Sequence, residues 1–274
     1  MKILISADME GITGVTTWDQ VTPGHAEYAR FRKQMTADVN AAVQGAFEGG
    51  VDEIIVSDGH WNYSNILVEE LDSRARLNSG APSPFSMMQG IDQNVHGVFF
   101  VGYHARNGST PAVLDHTWSD TCVANVWLND RLAGEYTLNA ALAGYFGIPV
   151  LMASGDQTVC AQIREQLGEI ETAVVKQASG RFSAECLTPD VTFQMIRQTA
   201  KLAVEQLARN ETPSAFVAKP PVEVKVELMS SDMADRAMLM PGVKRAGLKL
   251  TITAEDMLKA FSAFRAMIML SYPR

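Results

Sequence analysis

Hydrophobic and polar positions divide the chain into two regions of different period. In the first, short apolar runs alternate with amphipathic stretches. Lys2–Ala7 is an apolar run of the kind that forms a buried strand. A polar loop with Pro23 and Gly24 follows. Phe31, Met35, Val39, Ala42, Val43, Ala46 and Phe47 then fall on one helical face, and Gly49-Gly50 stops that helix. Ile54-Ile55-Val56 reads as a second strand and Val98-Phe99-Phe100-Val101 as a later one. Leu138, Leu142 and Tyr145 mark a helix ended by Gly147, and Pro149–Ala153 a further strand. Thr188-Pro189-Asp190 starts a helix striped by Phe193, Ile196, Ala200, Ala203 and Leu207. This alternation predicts an α/β fold, a three-layer α/β/α arrangement with a mostly parallel sheet.

The last sixty or so residues have period two. Val222, Val224, Val226 and Leu228 alternate with Glu223, Lys225 and Glu227; Leu248, Leu250 and Ile252 alternate with Lys249 and Thr251. Such strands have one wet face. Thr253 is read as the cap of a closing helix that carries Met257, Leu258, Phe261, Phe264 and Ile268. Pro213, Pro220 and Pro221 mark the boundary. The expectation is an α/β domain over 1–212 and a smaller C-terminal α+β subdomain over 213–274. A hairpin near 122–133, turning at Asn129-Asp130, is a candidate to join the subdomain.

Composition narrows the class. The chain has 274 residues, of which 47% are hydrophobic and 20% charged, enough apolar surface for a sizeable core. No apolar run reaches the ~18 residues of a membrane span, and Asp8 and Glu10 interrupt the N-terminal run too early for a signal peptide. The expectation is therefore a cytoplasmic protein with no membrane partner. A net charge of −8 speaks against nucleic acid as a partner. Cys122, Cys160 and Cys186 are too few and too widely spaced for a disulfide framework or a zinc ribbon, and are expected to be buried hydrophobes. Fourteen methionines, among them Met87-Met88, Met238, Met240, Met267 and Met269, either fill the core or offer adaptable contacts between subunits.

In an open α/β sheet, ligands bind beyond the carboxyl ends of the strands. Asp8 and Glu10 follow the first strand, two apart and so on one side of an extended chain. Ser57-Asp58-Gly59-His60 follows the second, and Gly102-Tyr103-His104 the third. Each side chain alone has an ordinary explanation as a cap, a solvated acid or a core histidine. Their coincidence at one sheet edge favours a divalent metal site, for which imidazole and carboxylate together suit zinc. His25 lies in a loop and His96 precedes a strand, at the wrong end of the sheet. On composition alone Glu135 is a helix-start acid, and His116 is undecided.

Taken together, Asp8-Met9-Glu10-Gly11-Ile12, Ser57-Asp58-Gly59-His60, Gly102-Tyr103-His104-Ala105-Arg106, His116, and Asn129-Asp130-Arg131 followed by Gly134-Glu135 resemble the D-aminopeptidase family of zinc peptidases, peptidase family M55 of the dipeptide-transport-protein type. The likeness extends through Pro149–Met152, Val175-Lys176-Gln177 and Asp256-Met257-Leu258. The resemblance implies a metallo-aminopeptidase that hydrolyses short peptides with N-terminal D-residues of the D-Ala-D-Ala type, using two zinc ions per subunit. By motif matching, Asp8 bridges the metals, Glu10, His60, His104 and Glu135 complete the ligand set, and His116 is the catalytic residue. It also implies a large ring-like homo-oligomer, with a decamer as a candidate size.

His116 as nucleophile or as acid/base stays open at this stage. Asp115 precedes it: on an extended segment the two side chains point apart, while a bend would let Asp115 raise the imidazole's pKa. Lys176, Arg181 and Arg106 are candidates for a substrate carboxylate, and Arg106–Pro111 is expected to crowd the pocket mouth. The alternatives are a dinuclear-metal phosphoesterase, which would want a more basic pocket, and a non-enzymatic peptide-binding module.

Overall fold

The computed structural model describes residues 1–272. A seven-stranded sheet runs through its middle, built from β1 (Lys2–Ala7), β2 (Glu53–Asp58), β3 (Ala75–Asn78), β4 (Gly97–Val101), β7 (Val150–Asp156), β8 (Glu171–Gly180) and β9 (Ser183–Cys186). Its order is β3-β2-β1-β4-β7-β8-β9. All neighbours are parallel except the β8–β9 pair, which turns back at the edge.

Alternate residues of each central strand feed two cores, because successive side chains of a strand point to opposite faces. Ile3, Ile5, Ile54, Val56, Phe99 and Val101 pack under α1 (Tyr28–Glu48) and α4 (Pro189–Ala208). Leu4, Ile55, Val98 and Phe100 face the other way. There they meet α2 (Glu135–Tyr145), α3 (Gln157–Leu167) and a second sheet. That sheet has the order β11-β12-β10-β5-β6, from β5 (Val123–Leu128), β6 (Arg131–Ala133), β10 (Val222–Leu228), β11 (Lys244–Ala246) and β12 (Lys249–Ala254). α5 (Ser231–Ala237) and α6 (Met257–Ser271) pack with it.

The β5–β6 hairpin turns at Asn129 and Asp130, both with positive φ, as a two-residue hairpin demands. β5 then pairs antiparallel with β10. The parallel α/β architecture and the alternating strands are as the hydrophobic pattern predicts. Three details differ. The cap of α6 is Asp256, whose carboxylate accepts from the Lys259 amide at 2.8 Å, and not Thr253, which lies inside β12. Cys122 and Cys160 are buried but Cys186 is exposed; all three are free thiols. β3, α3, β8, β9, α5 and β11 are not anticipated by the hydrophobic pattern, β3 because it is a half-buried edge strand with little apolar signal. Among the described residues, no helix is long and apolar enough to cross a membrane.

Two packing details generate tests. α1 and α4 approach so closely at Gly45 that a Cβ there would sit 2.0 Å from the Arg197 carbonyl oxygen. Gly45→Ala gains about 1 kcal/mol of helix propensity, but overpacking costs about 1–3 kcal/mol, and against immovable backbone the cost wins. The variant is expected to melt below the wild type; a raised melting temperature would show that the helices can part freely.

Asp38, buried on α1, accepts from the Thr13 amide at 2.9 Å and from Gln34 at 2.8 Å, tying α1 to the loop after β1. Burial outweighs these bonds and pushes its carboxyl up to about 6. The unfolded chain releases this proton near about 3.9, so between the two values the folded state holds more protons. Asp38 thus lends stability that is fully present below about pH 4 and lost as pH rises through about 6. Asp38→Asn should flatten the difference in melting temperature between pH 4 and pH 6, and an unchanged slope would show that Asp38 does not carry it.

Candidate metal centre

β1 is the middle strand of the three that carry chemistry. Ala7 lies in register with Asp58 on β2 and with Val101 on β4. Chain leaving these three strands therefore starts at one level. The loop after β1 is held down by the Asp8 amide bonding the Val101 carbonyl and the Gly11 amide bonding the Gly102 carbonyl, both at 2.8 Å. A Cβ on Gly11 would lie 1.9 Å from the Tyr103 carbonyl oxygen, so this turn requires glycine.

Asp8, Glu10, His60 and His104 are brought together, as the strand-end argument predicts. Glu135, first residue of α2, and His116, from the loop after β4, join them. All six are buried. His60 Nδ1 is 3.4 Å from Asp8 Oδ1 and 3.1 Å from Glu10 Oε2. His104 Nε2 is 3.1 Å from Glu135 Oε1 and 3.5 Å from Asp8 Oδ2. His116 Nε2 is 3.6 Å from Glu135 Oε1 and 3.9 Å from Glu10 Oε1. The rings of His104 and His116 stack with centroids 3.9 Å apart, and Trp18 meets His116 edge-on.

The three imidazoles share one device. His60 Nε2–H donates to the Val21 carbonyl at 2.7 Å, His104 Nδ1–H to that of Ala105 at 3.0 Å, and His116 Nδ1–H to that of Leu114 at 2.8 Å. A carbonyl can only accept, so each bond places a proton on the outer nitrogen and leaves the inner one to face the carboxylates. This is how proteins orient metal-ligating histidines.

The electrostatics of the cluster are those of negative charge in want of cations. Burial, aided by the charge of Glu10, pushes the Asp8 carboxyl up to about 7. Burial also disfavours the charged forms of the others, but mutual attraction wins. His60 holds Glu10 well below the carboxylate range, and His104 lowers Glu135. Glu10 and Asp8 in turn raise His60, and Glu135 raises His104 to about 10. His116 is the exception, lowered by burial and by the neighbouring His104. Asp8 Oδ2 and Glu10 Oε2 are buried without any hydrogen-bond partner. Orphaned carboxylate oxygens are rare in a protein interior, and they fit a site made for divalent cations. Ligand atoms of Asp8, Glu10 and His104, and those of His104, His116 and Glu135, form two groups each within 4.8 Å.

Support for these residues comes from side chains whose role the sequence alone did not expose. Asp58 accepts from the amides of Asn65 and Ile66 and from the Asn65 side chain, which in turn bonds the His60 carbonyl, so it shapes the loop that presents His60. Lys176 is fully buried on β8. Its three protons go to the carbonyls of Glu10 (2.6 Å), Ile12 (3.0 Å) and Val15 (2.7 Å), and so it holds the loop after β1. It is a structural lysine and not a receptor for a substrate carboxylate.

The other two candidate cations are also elsewhere. Arg181 is paired with Asp115 at 3.3 Å, and Arg106 lines a separate surface hollow with Tyr136 and Gln162. Asp115 also accepts from the Gly108 amide, so its carboxylate is engaged by Gly108 and Arg181, and the largest influences on the His116 imidazole are burial and His104. His25 pairs with exposed Asp19, and His96 accepts from the Lys2 amide at the opposite end of the sheet. A cavity of about 450 Å³ opens over the cluster. Its walls are Trp18, Trp61, Trp118 and Tyr272, with Ser119–Thr121 at one side; the segment Arg106–Pro111, expected at the mouth, does not line it. Scattered aromatics carry no periodic signal, so this wall was invisible in the sequence.

The family model described as D-aminopeptidase, peptidase family M55, matches residues 1–266. A D-aminopeptidase of Bacillus subtilis (strain 168) is 36% identical over 269 residues, which cover 97% of this chain and 96% of that protein. Among solved structures, the Zn-dependent D-aminopeptidase DppA from Bacillus subtilis, described as a self-compartmentalizing protease, superposes with a TM-score of 0.94. It is 34% identical, over 99% of this chain and 98% of that one. With the fold, the cluster of acids and histidines at the strand ends and the whole-length match in agreement, the chain belongs to the D-aminopeptidase family, M55.

Proposed function

We propose that this protein is a zinc-dependent D-aminopeptidase that removes the N-terminal D-residue of short peptides. The observation that carries the reading is the set of inward-facing imidazole nitrogens around buried carboxylates, two of whose oxygens have no partner. In this proposal Asp8, Glu10, His60, His104 and Glu135 would hold two zinc ions, with Asp8 shared between them. Zinc is supported by the mixed nitrogen and oxygen donor set and by the zinc dependence of the similar B. subtilis enzyme. Two divalent ions in such a site bring a water's pKa toward ~7 and polarise a scissile carbonyl.

His116 supplies the proton chemistry. Its Nδ1 proton is committed to the Leu114 carbonyl, and burial favours the neutral ring. Nε2 is therefore an available base inside the cavity, able to take a proton and return it to the leaving amine. Glu135 accepts from the Trp118 amide at 2.6 Å, which fixes the carboxylate opposite His116 and ties it to the aromatic wall. That wall excludes water from one side of the cavity and offers apolar surface to small side chains.

A phosphoesterase is disfavoured by the same cavity. Among the described residues no lysine or arginine lines it, so beyond the metal ions no cation is at hand for the oxygens of a phosphate ester. The proposed assembly is a large homo-oligomer, a ring enclosing the active sites. The description of the B. subtilis structure as self-compartmentalizing supports it, and so do the exposed Leu239, Met229 and Met269. The proposed location is the cytoplasm, in keeping with three free thiols.

Two measurements test the reading. Asp8→Ala should lose bound metal and activity together, whereas His116→Ala should keep most metal and lose about 10²- to 10⁴-fold in kcat. Elemental analysis decides: metal loss in His116→Ala equal to that in Asp8→Ala would make His116 a ligand. Separately, zinc-replete protein should cleave D-Ala-D-Ala faster than L-Ala-L-Ala and leave casein intact. A faster L-dipeptide would end the D-specific claim, and cleavage of a phosphate ester with no peptide turned over would end the peptidase reading.

A further inference from the structure

The cavity over the cluster does not stand alone. Trp61, Trp118 and Tyr272 also line a second cavity of about 320 Å³. The two spaces thus adjoin along a shared aromatic rim. Their charged lining residues differ. The first carries Asp8, Glu10, Glu135 and Asp120, with no lysine or arginine among the described residues. The second has no acidic lining residue and contains Arg265, from α6.

Arg265 is poorly engaged for an arginine in such a place. One guanidinium nitrogen, Nη1, donates to the Pro84 carbonyl at 2.6 Å, and the group lies 6.0 Å from the centre of the Phe261 ring. Among the described residues it forms no ion pair and no other hydrogen bond; the arginines at 30, 74, 76, 164, 181, 197, 209, 236 and 245 all have carboxylate partners. A guanidinium has five donors arranged to meet a carboxylate two at a time. The bond to Pro84 and the packing on Phe261 anchor the group while leaving donors free.

We propose that Arg265 is the receptor for the C-terminal carboxylate of a short peptide whose amino end lies among the acids of the metal centre. The proposal rests on the peptidase reading and adds the substrate's far end to it. A zwitterionic peptide has an ammonium at one end and a carboxylate at the other; Asp120 is the lining acid of the first cavity that is not assigned to metal, and Arg265 is the cation of the second. An aromatic rim between them suits the small apolar side chains in the middle of such a peptide. The arrangement makes the enzyme selective for a free C-terminus at short length. A longer chain carries its carboxylate past Arg265 and loses that contact.

The test is a series D-Ala-(Gly)n, with n from one to three, each peptide made as the free acid and as the C-terminal amide. Wild-type enzyme should prefer the acid at one length by about tenfold or more in kcat/KM, the worth of a charge-assisted pair. Arg265→Gln should bring the acid-to-amide ratio close to one, with the loss carried by KM. Arg265→Lys, which keeps the charge but not the fork, should fall between. An equal preference for acid and amide at every length in the wild type overturns the site and leaves the peptidase reading intact. So does an Arg265→Gln enzyme that loses acid and amide turnover in equal proportion, since that marks a structural residue. Failure of the wild type to cleave any member overturns the peptidase reading and this site with it.

Discussion

Three buried carboxylates in one small volume are what the rest of this molecule has to accommodate. Asp8, Glu10 and Glu135 lie within reach of one another in an environment where unpaired charge is costly. Proteins tolerate such a concentration only with cations at hand, and the chain supplies two imidazoles whose protonation the acids favour. Proton and divalent metal compete for the same inner nitrogens. Metal binding should therefore release protons and weaken as pH falls. The carbonyls behind the imidazoles restrain the rings from the outer nitrogen, away from the side where proton and metal compete.

That geometry depends on backbone placed by residues with no role in the chemistry. Parallel register delivers Asp8, His60 and His104 to one edge, but the loops beyond the strands need their own restraints. Gly11 allows the first loop to touch the backbone after β4, and Lys176 gathers three of its carbonyls from below. A buried lysine is expensive, and here burial drags its pKa down to about 8. Three carbonyls on three protons is the compensation. The same ammonium ion also places a positive charge beneath the Glu10 backbone. Asp58 does the corresponding work under His60 with hydrogen bonds alone. The Lys and the Asp are opposite in charge and alike in function: each satisfies the loose ends of a loop that has no secondary structure of its own.

How much of this was legible in the residues follows from which physical signals are local. The parallel sheet was legible because Lys2–Ala7, Ile54–Val56 and Val98–Val101 are buried on both faces and read as unbroken apolar runs. Asp8, Glu10, His60 and His104 were legible because a strand end is a place, and three strand ends in one parallel sheet are the same place. Glu135 and His116 were not legible that way. One opens a helix after a hairpin and the other sits in an irregular loop, so only the resemblance to M55 peptidases picked them out. Arg181 and Asp115 show the converse. Each looked available to the site as a lone charge, and each is engaged by the other, 66 positions away.

What sequence patterning conceals most thoroughly is the substrate-facing wall. Trp18, Trp61, Trp118 and Tyr272 come from four distant segments, and one of them, Tyr272, follows the last helix. No period links them, and singly exposed aromatics such as Trp61 are ordinary on protein surfaces. Their meaning arises only when the second sheet and α6 close over the carboxyl edge of the first. The order of construction then becomes clear. The parallel sheet gathers Asp8, Glu10, His60 and His104, but the aromatic wall over them comes from elsewhere. The added sheet leads through β6 into Glu135, and it anchors α6, which brings Phe261 and Phe264 against Trp118 and so fixes the wall of the cavity. The first sheet places Asp8, Glu10, His60 and His104, the hairpin of the second leads into Glu135, and the second sheet with α6 sets the shape of the space above them.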